Sequence, residues 1–145
     1  MTSQSMFFEA IKDGDVNAIN AFLALGYGHP NLPNDGGWNP LQFAIAHSDH
    51  LPIIQILLDY GADPNMPRPF SALFAAVFYQ RGSDIFCALV VAGANPNVPD
   101  FDGNTTIHQG NYKIKISPSI FYDDFLIFPS LFFLANLQHF NGNLQ

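Results

Sequence analysis

The chain is 145 residues long, room for one domain or one short repeat array and not for two full domains. Apolar residues make up 48%, enough for a sizeable core, while charged residues are 12%, half the usual ~25%. The net charge of −7 comes from 12 acidic and 5 basic residues, and Lys12, Arg68, Arg81, Lys113 and Lys115 form no basic run, which argues against a nucleic-acid partner and against an anionic membrane surface.

Cys87 is the only cysteine, so neither an internal disulfide nor a multi-cysteine zinc site is possible. Residues Met1 to Ala10 carry no basic stretch followed by an apolar one and do not read as a secretory signal; a reducing, cytoplasmic setting is the expectation. Phenylalanine is in excess, at 15 residues, and such a chain exposes aromatics unless something covers them.

The first predicted helical unit spans Met6 to Asn31. Val16, Ile19, Phe22 and Leu23 fall on one helical face, and Lys12, Asp13, Asp15, Asn17 and Asn20 keep the rest polar, as suits an N-terminal cap. It closes with Gly26-Tyr27-Gly28-His29-Pro30-Asn31.

The second unit opens at Asn39-Pro40-Leu41-Gln42. Asparagine is a good N-cap, and proline suits the first helical position because its missing N–H has no helical partner there. A second helix is predicted over Pro52 to Tyr60, apolar at Ile53, Ile54, Ile56, Leu57 and Leu58. Gly61 then ends it, and Ala62-Asp63-Pro64-Asn65 favours turns.

The third unit repeats the second. Ser71-Ala72-Leu73 echoes Asn39-Pro40-Leu41 at 32 residues, and Leu89-Val90-Val91-Ala92-Gly93-Ala94-Asn95-Pro96-Asn97 echoes Leu57 to Asn65 at the same offset. Its second helix, Ile85 to Ala92, holds no charge. A fourth opening, Thr105-Thr106-Ile107-His108, places its anchor Ile107 34 residues after Leu73 and then breaks off at Gln109-Gly110-Asn111.

These residues resemble the ankyrin repeat, in which a Thr-Pro-Leu-His-like start and a Gly-Ala-Asp-x-Asn-like end recur at about 33 residues. The resemblance implies an all-α solenoid of stacked helix-turn-helix units with short extended loops, over residues 1–108. The units lie at about 5–33, 34–66 and 67–99, with a partial one at 100–108. Residues 109–145 form a phenylalanine-rich tail outside the pattern. In the resemblance, His50 sits at the turn histidine, whose role is a hydrogen bond to backbone.

The resemblance also implies a binding surface on loop tips and on the inner face of each first helix. The matching loop positions are Asp35, Gly36 and Trp38, then Pro67, Arg68 and Phe70, then Phe101, Asp102 and Asn104. The matching helix positions are Ala46 and His47, then Phe78, Tyr79 and Arg81. Within these, Trp38, His47, Arg68, Phe70, Phe78, Tyr79, Arg81, Phe101 and Asn104 are the expected partner contacts. They include the Trp, Tyr and Arg that dominate interface energetics.

No catalytic, cofactor or metal constellation emerges. His47, Asp49 and His50 lack a further ligand pattern. Cys87 sits in an apolar helix, Gly26-Tyr27-Gly28 lacks the rest of a dinucleotide motif, and Asp123-Asp124 reads as a solvated helix start. The expected function is non-catalytic recognition of another protein, without cofactors. The alternatives are a truncated piece of a larger ankyrin-bearing effector or enzyme, and an adaptor held weakly at a membrane by the tail. Phe125 to Leu137 is apolar but interrupted by Pro129-Ser130, and is shorter than the ~20 residues of a spanning helix.

Overall fold

In the computed structural model, which describes residues 1–67, 70–99 and 103, six helices run in three antiparallel pairs. They are α1 (Ser3–Asp13) with α2 (Val16–Ala24), α3 (Pro40–His47) with α4 (Leu51–Asp59), and α5 (Ala72–Phe78) with α6 (Ser83–Val91). No strand occurs among the described residues.

Each first helix packs on the next first helix, α1 on α3 and α3 on α5. Each second helix packs likewise, α2 on α4 and α4 on α6. The result is a two-layer stack in which each pair contacts its neighbours, the architecture of a repeat solenoid. Phe7, Ile11, Ile19, Leu41, Ile45, Ile53, Ile54, Leu57, Leu73, Ile85 and Leu89 fill the space between the layers. Their 3.6-residue periodicity is what the apolar faces in the sequence express.

Local chemistry sets the boundaries. Thr2, Asp15, Asn39 and Ser71 each accept a hydrogen bond from a backbone N–H in the first turn of the helix that follows. Gly61 and Gly93 stand at φ 88° and 90°, where a Cβ would be strained. There the Ala62 and Ala94 amides donate back to Leu57 and Leu89 carbonyls at 2.9 Å, closing α4 and α6.

The second helices begin and end within two residues of the sequence expectation. The exception of interest is the link in the third pair. There Gln80 takes the left-handed conformation at φ 52° that glycine takes elsewhere, and the Arg81 amide donates to Ala76 at 2.8 Å. The link of the second pair is also irregular. Ser48 is extended, its hydroxyl accepts from the His50 amide at 3.1 Å, and the His50 side chain makes no cap hydrogen bond to α4.

An asparagine ladder ties the pairs together at their loop ends. Asn31 donates to the Gly61 carbonyl at 2.9 Å and accepts from the Asp63 amide at 2.7 Å. One repeat later, Asn65 donates to Gly93 at 3.0 Å and accepts from Asn95 at 2.6 Å. In the first pair Gln4 plays this part from within α1, accepting from the His29 amide at 2.9 Å and donating to the His29 and Leu32 carbonyls. The residue that pins each loop is therefore an amide side chain every time.

Candidate binding face

The loops that precede the first helices are built by short polar side chains. Asn34 Oδ1 accepts from the Gly36 and Trp38 backbone amides at 3.0 Å each, and the Asn34 backbone N–H donates to the Trp38 carbonyl at 2.9 Å, which closes a tight loop over residues 34–38. The loop before α5 is held from α3. Gln42, buried to 1% exposure, donates from Nε2 to the Met66 carbonyl at 3.0 Å and also to the Phe70 carbonyl. Gln42 Oε1 and Asn39 Nδ2, both buried, have no hydrogen-bond partner among the described residues.

These loops present aromatic rings to the first helices, and the rings form a continuous run. Trp38 meets Phe70 edge-on at 5.3 Å between centroids. Phe70 meets Phe74 at 5.1 Å, Phe74 stacks on Phe78 at 5.8 Å, and Phe78 meets Tyr79 at 5.1 Å. The Arg81 guanidinium lies 5.7 Å from the Tyr79 ring centre. In the other direction Trp38 contacts Phe43 at 6.5 Å, and Phe43 joins both His47 at 4.2 Å and Phe8 at 5.1 Å.

Six of the nine residues expected at the interface are described, and the run includes all six. Trp38, Phe70, Tyr79 and Arg81 are half-buried, while His47 and Phe78 are exposed, Phe78 at 45%. Arg68, Phe101 and Asn104 lie outside the described residues, as do the partial fourth repeat apart from Gly103 and the tail 109–145.

Arg81 has a role the sequence did not disclose. Its Nε donates to the Ile45 carbonyl at 2.6 Å and its Nη2 to the Ala46 carbonyl at 2.7 Å, the orphan acceptors near the end of α3. Phe43, Phe74 and Phe8 were also missed. The available signal was Phe74-Phe78 and Phe43-His47 at i,i+4, the spacing of neighbours on one helical face, with Phe70 just ahead of the Ser71 cap.

A cleft of about 560 Å³ lies between α1, the start of the second repeat and α3, lined among others by Phe8, Glu9, Lys12, Leu32, Asp35, Phe43 and His47. No group of three or more His, Cys, Asp or Glu able to hold a metal ion occurs among the described residues. Half-buried Cys87 has its thiol pKa pushed up by burial and, secondarily, by the Asp84 carboxylate, the opposite of what a nucleophile needs. No helix among the described residues is long and apolar enough to cross a membrane.

Residues 2–68 match the family model for ankyrin repeats (3 copies). The chain carries an ankyrin-repeat array. The α5–α6 pair lies beyond the matched residues and continues the same stack, with the same glycine stop and the same asparagine ladder.

The array is similar to segments of much longer proteins. It is 30% identical over 105 residues, 72% of this chain, to the E3 ubiquitin-protein ligase hecd-1 of Caenorhabditis elegans. It is 25% identical over 77% of its length to the probable E3 ubiquitin-protein ligase XBOS34 of Oryza sativa subsp. japonica. It is 29% identical over 64% to the ankyrin repeat, SAM and basic leucine zipper domain-containing protein 1 of Carollia perspicillata. The chain spans 4%, 22% and 20% of these relatives. Ankyrin repeats are generally non-catalytic modules that bind other proteins.

Proposed function

We propose that this ankyrin array binds another protein through the face formed by its first helices and the loops before them, with His47, Phe70, Phe78 and Tyr79 as contacts and Trp38 as their support. The observation that carries this reading is the unbroken aromatic run from Trp38 to Tyr79, which crosses from one repeat to the next and brings exposed Phe78 beside half-buried Tyr79. Aromatic side chains gain large contact area at small entropic cost, and half-buried rings fixed by neighbours are already ordered before binding. Arg68, Phe101 and Asn104 are further partner contacts in this reading, from the repeat pattern in the sequence, which runs to about residue 108.

The test is affinity capture with quantitative mass spectrometry, comparing the unaltered chain with Phe78→Ala plus Tyr79→Ala. Loss of a captured protein at least tenfold, with the helical circular dichroism unchanged, supports the reading. Equal capture overturns it.

A second reading is favoured by the relatives: the array is the recognition segment of a longer protein whose chemistry lies elsewhere, as a ligase would need to select what it modifies. Two of the three relatives above carry ligase names, and the chain spans under a quarter of each. A transcript that continues the reading frame into a further domain would support it, and one confined to these residues would contradict it.

A further inference from the structure

The cleft between the first and second repeats has a definite chemistry. Half-buried Phe43 and exposed Leu32 give it an apolar side, with Phe8, itself buried, in edge contact with Phe43 at 5.1 Å. Glu9 from α1 and Asp35 from the 34–38 loop put exposed carboxylates on it. Asp15, Asp59, Asp63 and Asp84 each accept a hydrogen bond within the chain. Glu9 and Asp35, by contrast, make no ion pair or side-chain hydrogen bond among the described residues. Lys12, one helical turn from Glu9, offsets one of the two charges, so the cleft stays net negative on a protein of net charge −7. It is an open groove of about 560 Å³, with room for a segment of chain laid along it.

We infer that this cleft takes an extended basic segment of the partner protein, in which an arginine or lysine stands beside an apolar residue. The apolar residue and the aliphatic stem of the basic one cover Phe43 and Leu32, and the cation reaches Glu9 and Asp35. An acidic segment would meet two uncompensated carboxylates and is disfavoured. The inference rests on the proposed binding face and names the kind of partner it selects.

Random heptapeptides displayed on phage and panned on the full chain test this, followed by fluorescence anisotropy on the most enriched peptide. The expected result is enrichment of Arg or Lys next to Leu, Ile or Phe. Affinity is expected to fall at least tenfold for the exposed, near-isosteric pair Glu9→Gln plus Asp35→Asn. Enriched peptides without a basic residue, or unchanged affinity in that pair, overturn the inference. A peptide that responds to Phe78→Ala plus Tyr79→Ala but not to the carboxylate pair overturns the basic-segment assignment and leaves the wider binding face standing. A peptide indifferent to both pairs overturns both.

Discussion

Arg81 in the third repeat donates through Nη2 to the carbonyl of Ala46 in the second, at 2.7 Å, while its Nε takes the adjacent Ile45 carbonyl at 2.6 Å. One planar group thus satisfies two acceptors near the end of α3 from the neighbouring repeat. A charged donor to a backbone carbonyl is worth about 1.5–3 kcal/mol. Arg81→Ala is expected to lower stability by about 2 kcal/mol in urea unfolding, and Arg81→Lys to recover less than half, because an ammonium is a point donor without the fork. Full recovery by lysine would contradict this account. Loss of binding in an Arg81 variant therefore has to be corrected for loss of stability.

Gln80 sits beside it at φ 52° in a position that glycine fills at the ends of α4 and α6. The left-handed region costs an L-residue about 1–2 kcal/mol. Gln80→Gly is expected to stabilise the array by up to about 1 kcal/mol, since glycine's larger unfolded-state entropy takes back part of the gain. A lower thermal midpoint for the glycine variant would show that Gln80 contributes something its backbone does not explain.

The stack was legible in the sequence because its determinants are local. Gly61 and Gly93 announce their turns, Asn39 and Ser71 their caps, and Ile53, Leu57, Ile85 and Leu89 their buried faces. The asparagines that end each unit were visible as a repeated residue, but their partners were not, because Asn31 reaches Gly61 and Asp63 across a whole repeat. The acceptors of Arg81 were hidden for the same reason: nothing near it in sequence points to Ile45 and Ala46. Phe43 and Phe74 read equally well as core, and only the stack leaves them half-buried beside Trp38 and Phe70.

The ladder carries its own expectation. Asn65→Ala removes two hydrogen bonds between repeats, to Gly93 and Asn95, at a partly solvated site. A loss of about 1–2 kcal/mol is expected. Hydrogen exchange at the Asn95 amide should rise more than at amides within α1. Uniform acceleration across all three repeats would contradict a local role.

Gln42→Ala should cost more than Asn65→Ala, about 2–3 kcal/mol, because the Met66 and Phe70 carbonyls lose a buried donor and a cavity is left behind. Comparing urea midpoints of the two variants decides the order. Gln42→Ala should also loosen Phe70 against Trp38, read as a change in Trp38 fluorescence in the folded state.

The central claim is that the first-helix face is where a partner binds. A photo-reactive phenylalanine analogue placed at Phe78 in α5, and separately at exposed Val91 in α6 of the same repeat, tests it most directly. The account predicts cross-linking of a discrete protein from position 78 and none of that protein from position 91. Cross-linking from position 91 alone would contradict it.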